Sequence, residues 1–544
     1  MATNPDLQQA MTAIKRLQFD EANALLSRLL DDQPNHAQAR WLLIRSLENQ
    51  KDTDRALEQL RLLLIHVRKD LPVIDRVAEH MRQRRYPLKH ILRAYEKYLA
   101  HQPDSAIAAF NYAYNLARDA QFEAAIQKYD RALGLGIDTP EEVHLNIANI
   151  HMDHLHAYDA ARVHLEKALA LNPAYSSAYY NLGNLAEQEG NREEASRNFR
   201  KSMETDPANE AALARLADTQ KFVEQDDPIL VSLVETAQHS KDSDVHLATG
   251  RAYEQLGDYD MAWEQFSNGN LLDKRVIPPY SKEHTESYFN GIMTQCDRDW
   301  CEQYNEGLSR EPVFICGMFR SGSTLLEQML ASHPAFTAGG ESEFFPRLVS
   351  REFPDYPQGL EGVSIGTLRH WQKLYEEQST KLFGKSSRPT DKRPDNFLYI
   401  GLIKAVLPSA KFVVIERDWR DVATSIYSVR LGPSQTYATS LENIRHYIGL
   451  QTELINHWET AMGSDLIRVH YEDLVLQPQR TVTDLLDWLG EDWDERCLAF
   501  HELRNSVKTA SVWQVREPLH QKSVGRWKNY QQQFVDVFGA ELGD

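Results

Sequence analysis

Residues 313–334 combine the residue types that bind anions. The apolar run over 313–316 predicts a buried parallel strand, and the turn over 317–322 is rich in glycine and serine. Apolar residues at helical spacing predict a helix over 324–332, ahead of Pro334. In a strand–loop–helix arrangement, the loop and the helix N-terminus direct backbone N–H groups toward a bound anion. The segment therefore predicts a phosphate-binding loop.

The loop departs from the pattern of nucleotide kinases at one position. Gly317 and Gly322 have the spacing of G-x-x-x-x-G-K-[ST], and Thr324 stands where Ser or Thr belongs, but Ser323 replaces the lysine. A kinase needs that lysine on the β- and γ-phosphates, so the replacement argues against ATP chemistry. Arg320 supplies positive charge from inside the loop instead.

A second segment places further polar side chains near the same site. The apolar run over 412–415 predicts another buried strand, with Arg417 at its carboxyl end and Ser425 in the first turns of the next helix. Ligands bind at the carboxyl ends of parallel strands, so both side chains are expected to reach a second phosphate. The motif DKRPDNF predicts that Lys392 lies in a loop flanked by proline.

These segments resemble the sulfotransferases that use 3′-phosphoadenosine-5′-phosphosulfate, most closely the tyrosylprotein sulfotransferases. The resemblance covers about residues 311–530. It implies that 3′-phosphoadenosine-5′-phosphosulfate is the co-substrate, held through its 5′-phosphosulfate and its 3′-phosphate. Arg526 stands in for a lysine, and Tyr471 and Ser511 are equally compatible with packing. The donor-binding residues implied by the resemblance are Phe319, Arg320, Ser321, Gly322, Ser323, Thr324, Arg417, Ser425, Tyr471, Ser511 and Arg526.

The same resemblance assigns the catalytic roles to Glu341, Lys392 and Arg320. Glu341 is the expected base, because a hydroxyl becomes a better nucleophile when a carboxylate takes its proton during attack. Lys392 and Arg320 are expected to stabilise charge on the departing phosphate, and since cationic side chains have that role, no metal ion is expected. The alternatives are that Glu343 is the base, or that Glu341 is an ordinary carboxylate at a helix N-terminus.

Glu343 also affects the expected acceptor. In the tyrosylprotein enzymes the corresponding position is an arginine, which suits acidic residues around the target tyrosine. Glu343 reverses that charge. Acidic peptides are therefore expected to be poor acceptors.

The N-terminal half has the period of a helical repeat. Prolines recur at intervals of 33 and 34 residues from position 140 to position 207, and Gly183 and Phe199 recur 67 residues later as Gly250 and Phe266. A small residue suits the point where two helices of a hairpin approach closely, and a large apolar residue fills the gap between them. The pattern resembles the tetratricopeptide repeat and predicts an all-α solenoid of stacked hairpins.

Such an array predicts recruitment of a protein partner or of the acceptor, not chemistry. Deletion of residues 1–275 is therefore expected to spare donor binding. No cysteine accompanies the histidines of the array, so they are interpreted as solvated helix faces and not as a metal site. These histidines are His144, His151, His154, His156 and His164.

Composition narrows the class of protein further. A net charge of −19 argues against general affinity for nucleic acid or for membranes. Four cysteines in 544 residues, with no C-x-x-C pair, exclude a disulfide framework and favour a reduced, cytoplasmic setting. The sequence contains neither a long apolar run nor an apolar leader, so no membrane span and no signal peptide are expected.

We therefore predict a tetratricopeptide-repeat array over 1–275, a helical connector over 276–310 and an α/β domain with a P-loop-like parallel sheet over 311–544. This organisation resembles bacterial proteins that join such repeats to a sulfotransferase domain. The predicted reaction transfers a sulfuryl group to a hydroxyl or amine of a sugar, peptide or small molecule.

Two other functions are compatible with this organisation. One is a non-catalytic repeat scaffold with a nucleotide-binding domain, which requires neither Lys392 nor Glu341. The other is a nucleotide-dependent kinase, which requires a lysine at the position of Ser323.

Overall fold

The computed structural model describes residues 4–66, 70–84, 86–302, 311–384, 388–509 and 511–539. Its internal contacts divide the chain into two compact units, Met1–Leu182 and Gly183–Asp544. Residues 303–310 of the predicted connector and 540–544 of the predicted C-terminal domain lie outside the described residues.

The first unit consists of successive helices whose facing sides bury small and branched apolar residues. Ala22, Leu26 and Leu60 are fully buried in this way. Asn4, Asp70 and Ser105 cap the helices that follow them. The helices are α1 Pro5–Lys15, α2 Phe19–Asp32, α3 Ala37–Asn49, α4 Thr53–His66, α5 Leu71–Gln83, α6 Lys89–His101, α7 Ala106–Arg118, α8 Phe122–Gly134, α9 Pro140–Asp153 and α10 Tyr158–Leu171, and α11 Ser176–Gln188 crosses the boundary between the units.

The second unit begins with further repeat helices, and these confirm the predicted close approaches. A Cβ added at Gly183 would lie 2.5 Å from the ring of Phe199, and one added at Gly250 would lie 2.5 Å from the ring of Phe266. The predicted all-α repeat fold is therefore confirmed by its packing. The repeat helices of this unit after α11 are α12 Arg192–Thr205, α13 Glu210–Asp218, α14 Pro228–Ala237, α15 Ser243–Gln255 and α16 Tyr259–Val276.

Five parallel strands follow, in the spatial order β2-β3-β1-β4-β5. They are β1 Val313–Gly317, β2 Phe336–Thr337, β3 Arg388–Lys392, β4 Lys411–Glu416 and β5 Leu466–His470. The predicted strands over 313–316 and 412–415 and the predicted helix over 324–332 are confirmed to within a residue at either end, the helix being Ser323–Ala331.

Helices cover both faces of this sheet. The helices of this part of the chain are α17 Lys282–Gln295, α18 Arg298–Cys301, α19 Ser323–Ala331, α20 Phe344–Glu352, α21 Ile365–Phe383, α22 Ile400–Val406, α23 Trp419–Tyr427, α24 Leu441–Met462, α25 Tyr471–Leu476, α26 Pro478–Leu489 and α27 Gln531–Phe538. Short 3-10 turns span Leu360–Gly362, Pro394–Leu398, Gly463–Asp465, Glu495–Glu502, Gln514–Arg516 and Arg526–Tyr530.

Alternate residues of β1 enter two different cores. Phe314 and Cys316 pack with Trp458 of α24, whereas Val313 and Ile315 pack with helices α19 and α26. The strand is therefore buried on both faces, as its continuous apolar run predicts.

A third core joins the last repeats to the sheet-containing region. Leu247 of α15 and Phe266 of α16 pack with Val422 of α23 and with Trp527 and Phe534 near the C-terminus. This shared core explains why the repeats from residue 183 onward belong to the same compact unit as the sheet.

No helix in the described part of the chain is long and apolar enough to cross a membrane. Likewise, no group of three or more His, Cys, Asp or Glu side chains among the described residues is arranged to hold a metal ion. His144 and His164 instead face one another, with their Nδ1 atoms 3.0 Å apart.

Substitution of Gly250 by alanine is expected to destabilise the second unit. The new methyl group would meet Phe266 at 2.5 Å and the carbonyl oxygen of Ala262 at 2.9 Å, which is overpacking with a cost of about 1–3 kcal/mol. Denaturant unfolding measures this cost. Gly449→Ala, on α24, is the matched control, because a Cβ there meets nothing within 4 Å and is expected to add about 0.5–1 kcal/mol of stability. Equal effects of the two substitutions would contradict the packing argument.

Candidate active site

Lys392, the loop after β1 and Arg417 meet at one edge of the sheet. Strands β3, β1 and β4 are parallel neighbours, in which Ile315 pairs with Lys392 and Gly317 pairs with Ile415. Their carboxyl ends therefore lie side by side. This is the edge at which ligands bind in open parallel sheets.

The sequence-based placement of Lys392 in a loop was wrong. Lys392 is the last residue of β3, it is 1% exposed, and its backbone N–H donates to the carbonyl oxygen of Gly340 at 2.8 Å. The segment RPTDK has no apolar run that would predict a strand. It forms one because it pairs with β1 on one side and β2 on the other.

The glycines of the loop are required by close contacts. A Cβ at Gly317 would lie 2.3 Å from the carbonyl oxygen of Ile415. A Cβ at Gly322 would lie 2.5 Å from the ring of Tyr471, and Gly322 has a φ of +105°, which side chains rarely adopt. Helix α19 starts directly after Gly322, so its free N–H groups belong to the loop.

Arg320 joins the loop to two other predicted donor-binding residues. Its Nε donates to Ser425 Oγ at 3.0 Å and its Nη1 donates to Ser511 Oγ at 2.5 Å, while Nη2 lies 3.3 Å from Gln514 Oε1. The described partners of this guanidinium are all neutral groups. Gln514 was not predicted from the sequence.

Arg417 is fixed on several sides. Its guanidinium donates to the backbone oxygens of Arg320 and Ser523, lies 3.8 Å from Asp421, and stacks 4.6 Å from the centroid of the Tyr471 ring. Tyr471 therefore packs against both Gly322 and Arg417.

Arg526 lies in the same cluster and contacts the repeat array. Its Nε and Nη2 donate to the two carboxylate oxygens of Glu254, each at 2.6 Å, and Nη2 also donates to Ser428 Oγ at 3.1 Å. Glu254 belongs to repeat helix α15. Arg526, which the resemblance assigns to the donor, therefore contacts the repeats, and the sparing of donor binding by deletion of residues 1–275 stays a prediction.

Electrostatics mark Arg320 as the centre of this cluster. Desolvation and the fields of Arg526, Arg417 and Arg251 lower the pKa of the Arg320 guanidinium to about 9. An anion among these groups would oppose both effects. The cluster thus has the charge that binds a phosphate or a sulfuryl group.

Lys392 and Glu341 form an ion pair beside the loop. Lys392 Nζ donates to Glu341 Oε1 at 2.6 Å, where the lysine is buried and the carboxylate is partly exposed. Gly339, just ahead of Glu341, approaches β3 so closely that a Cβ there would lie 2.0 Å from the carbonyl oxygen of Thr390. The pair therefore depends on the Gly-Gly sequence that precedes the glutamate.

Glu343, the alternative base, lies in a different environment. Its carboxylate is about half exposed and pairs with Arg347 of α20 at 2.5 Å. Glu341 is therefore the carboxylate that contacts Lys392, and the negative charge expected to repel acidic acceptors is offset at Glu343 by a neighbouring cation.

Glu327 is a buried acid that sequence reasoning missed. It lies on α19, and its Oε1 accepts from the backbone N–H of Gly340 at 3.0 Å and from Thr390 Oγ1 at 2.9 Å. It therefore ties the loop that carries Glu341 to the strand that carries Lys392. The available signal was that Glu327 is the one charged residue of helix α19.

The remaining predicted residues have less specific surroundings. Thr324 Oγ1 donates to Thr509 Oγ1 at 3.4 Å, Ser323 is buried at the start of α19, and Phe319 is half-buried in the loop. Ser321 Oγ is buried without a hydrogen-bond partner among the described residues. An unpaired hydroxyl within a cationic loop fits a donor that carries phosphate and sulfate groups.

The chain matches known families in two regions. Residues 312–495 match the model described as the sulfotransferase family. Residues 7–70, 92–140 and 176–209 match tetratricopeptide-repeat models. Along the chain, the matches to tetratricopeptide-repeat models thus precede the match to the sulfotransferase family model.

Curated relatives match parts of the chain. An uncharacterized protein of Aquifex aeolicus (strain VF5) is 29% identical over 301 residues, which are 53% of this chain and 40% of that protein. The protein-tyrosine sulfotransferase of Drosophila melanogaster is 25% identical over 40% of this chain and 46% of its own length. Protein-tyrosine sulfotransferase 1 of Danio rerio is 24% identical over 40% of this chain and 65% of its own length. The chain thus spans less than half of the first two relatives.

Solved structures similar to the chain include the sulfotransferase domain of the Synechococcus PCC 7002 olefin synthase. It covers 41% of this chain and 90% of its own, at 19% identity and a TM-score of 0.33. The sulfotransferase domain from the curacin biosynthetic pathway matches over 42% of this chain and 98% of its own length, at 16% identity and a TM-score of 0.30.

Neutralisation of Glu327 is expected to flatten the pH dependence of stability. Burial raises the pKa of Glu327 above its ordinary value of 4.5, so the folded protein binds this proton more tightly than the unfolded chain does. The free energy of unfolding therefore falls as the pH rises above the ordinary value of 4.5. Glu327→Gln keeps an acceptor oxygen but removes the titration, and urea unfolding from pH 5 to pH 8 should show a smaller decline than in the wild type.

Two further variants separate charge from hydrogen bonding at this position. Glu327→Ala removes the acceptor of the Gly340 N–H and leaves Thr390 Oγ1 only its longer contact with the Thr337 carbonyl oxygen, so it should cost about 1–3 kcal/mol at every pH. Glu343→Gln, at an exposed carboxylate, should keep the wild-type pH dependence. Asp391, whose pKa burial raises to about 7, titrates in all of these proteins, and the charge of Glu327 contributes to that rise. Glu327→Gln therefore also lowers the pKa of Asp391, which makes the decline in stability smaller in the same direction. Identical slopes for wild type and Glu327→Gln would refute the assignment.

Proposed function

We propose that the protein is a sulfotransferase that uses 3′-phosphoadenosine-5′-phosphosulfate as donor and a hydroxyl or amine as acceptor. The observation that carries the proposal is the contact between Lys392 Nζ and Glu341 Oε1, 2.6 Å apart beside the phosphate loop. A domain that only binds a nucleotide requires neither of these charges there. The match of residues 312–495 to the sulfotransferase family supports the same function.

In this proposal the donor lies along the carboxyl edge of the sheet. Residues 319–324 of the loop hold its 5′-phosphosulfate. Arg417, Ser425 and Arg526 hold its 3′-phosphate, and Tyr471 and Ser511 line the site between loop and arginines. The hydrogen bond from Arg320 to Ser425 supports this assignment, because it brings the loop and the proposed 3′-phosphate site together.

The donor, when bound, supplies the sulfuryl group. Glu341 accepts the proton of the acceptor hydroxyl or amine, a contribution of about 10²–10⁴ in rate for a positioned carboxylate. Lys392 and Arg320 offset the negative charge that develops as the phosphate departs. The backbone bond from Lys392 to Gly340 holds the lysine in register with the loop that carries the base, so both charges stay at one point.

The acceptor is proposed as a peptide, a sugar or a small molecule. The relatives that are named protein-tyrosine sulfotransferases favour the peptide hydroxyl among these. The prediction that acidic peptides are poor acceptors rests on the charge of Glu343, which Arg347 offsets in part. The repeats are proposed to recruit this acceptor or a protein partner.

Donor selectivity is expected to depend on the 3′-phosphate. Calorimetric titration should show that adenosine 3′,5′-bisphosphate binds about 100-fold or more tightly than 5′-AMP, because charge-assisted hydrogen bonds to Arg417 and Arg526 depend on that phosphate. Arg417→Ala should reduce the preference. The exposed Arg480 provides a control, since Arg480→Ala removes an equal charge far from the cluster contacts. Equal binding of the two nucleotides by the wild type would remove the roles given to Arg417 and Arg526.

Glu341→Gln is expected to bind the donor normally and to lose turnover by about 10²–10⁴-fold, because the amide cannot take the acceptor's proton. Lys392→Ala should lose turnover and some donor affinity. Release of adenosine 3′,5′-bisphosphate from the donor, with a panel of phenol, sugar and amine acceptors, measures turnover. Glu343→Gln is the matched control and should retain activity. If instead Glu343→Gln is inactive and Glu341→Gln is active, Glu343 is the base.

A further inference from the structure

Repeat helix α15 reaches the cationic cluster with two charged side chains. Arg251 Nη1 donates to the backbone oxygen of Ser428 at 2.9 Å, while its Nε and Nη2 donate to Asp218 at 2.9 and 3.0 Å. Glu254, one turn further along α15, accepts two hydrogen bonds from Arg526. Arg251 therefore contacts the residue that follows helix α23, which carries Ser425, and Glu254 contacts Arg526 near the C-terminus.

A continuous hydrogen-bonded path connects Glu254 to the phosphate loop. Arg526 Nη2 donates to Ser428 Oγ at 3.1 Å, and Ser428 Oγ donates to the backbone oxygen of Ser425 at 3.2 Å. Ser425 Oγ in turn accepts from Arg320 Nε at 3.0 Å. Each group on this path, from the repeat helix to the loop, is at least half-buried.

The backbone and the side chain of Arg526 are held by different parts of the chain. Asp421 of α23 accepts from the backbone N–H of Gly525 at 2.7 Å and from that of Trp527 at 2.9 Å, which fixes the residues on either side of Arg526. The guanidinium is oriented by Glu254, with Ser428 as a second acceptor. The direction of this cation is thus set by the repeat array.

The geometry of the pair leaves part of the guanidinium available for a ligand. Glu254 and Ser428 accept from the Nε and Nη2 edge, and no described contact involves Nη1. The carboxylate also offsets charge in a cluster that contains Arg320 and Arg417, so it lowers the cost of keeping these cations together. A bidentate carboxylate that leaves one edge of an arginine unused is an arrangement that positions the arginine for another anion.

We infer that Glu254 is a positioning residue for the donor, through which the repeat array orients Arg526 toward the 3′-phosphate. This inference rests on the proposed function, since it assumes a donor with that phosphate. It makes the selectivity of the transferase domain depend on a side chain outside that domain.

The test compares two nucleotides in variants of the full chain. Glu254→Ala should weaken binding of adenosine 3′,5′-bisphosphate by about tenfold or more and leave 5′-AMP binding unchanged, because only the first ligand uses Arg526. Glu254→Gln keeps the shape and one acceptor and should give a smaller loss. In turnover, Glu254→Ala should raise KM for the donor while kcat stays close to wild type.

Glu517→Gln is the matched control for a purely structural effect. Glu517 pairs with Arg192 and Lys221 of the repeats at 3.3 and 3.4 Å, so this variant removes another ion pair between the repeats and the sheet-containing region. It should leave the ratio of the two affinities unchanged. In an Arg526→Ala background, Glu254→Ala should have no further effect on that ratio, because the glutamate acts through the arginine.

The possible outcomes separate this inference from the function on which it rests. A wild-type preference for the bisphosphate that survives both Glu254 variants overturns the inference and leaves the function standing. Tighter binding by Glu254→Ala also overturns it, because the glutamate would then compete with the phosphate. A wild type with no preference refutes both. Should Glu254→Ala not fold, the same comparison in Glu254→Gln decides, and a wild-type affinity ratio there overturns the inference.

Discussion

The arrangement of this site depends on how the repulsion among its positive charges is offset. Desolvation and the fields of three neighbouring guanidiniums act on Arg320, and burial strengthens such repulsion. The other three have carboxylate partners: Asp218 for Arg251, Asp421 for Arg417 and Glu254 for Arg526. Arg320 has only hydroxyl and amide partners among the described residues. The charge that remains uncompensated is therefore located in the loop, where a transferable anionic group is expected to lie.

The parallel sheet places the second pair of charges close to the first. Register between β1 and β3 sets Lys392 beside Ile315, and the contact of Gly339 with Thr390 brings Glu341 to the end of the same strand. Buried polar groups then hold this arrangement, with Glu327 bonded to both segments. The cationic cluster and the Lys392–Glu341 ion pair are thus built from adjacent strand ends. Neither arrangement requires a side chain that reaches across the sheet.

Local patterns in the sequence predicted the parts of the site that lie next to their own secondary structure. The apolar runs before Gly317 and Arg417 define strands, and the glycine spacing defines the loop, so Arg320, Arg417 and Ser425 were placed correctly relative to these elements. Lys392 was misplaced because RPTDK becomes a strand only through its neighbours.

The partners of these residues depend on contacts between distant segments, which no local pattern encodes. Glu327 contacts residues that are 13 and 63 positions away in the chain. Glu254 lies 272 positions from Arg526. Its own surroundings in the sequence are those of an ordinary repeat helix, so nothing in the sequence near Glu254 indicates the core that these repeats share with the sheet-containing region.

That shared core limits how such a protein can be assembled from parts. Leu247 and Phe266 of the last repeats pack with Val422 and Trp527, and Gly250 must stay small for Phe266 to do so. A gene fusion or a laboratory chimera that joins foreign repeats at residue 275 would leave half of this core without its complement. A junction ahead of α11, the helix that crosses the boundary between the compact units, keeps both halves of this core in one piece. The repeats that carry Leu247 and Phe266 can therefore change only together with the sheet-containing region that completes their core.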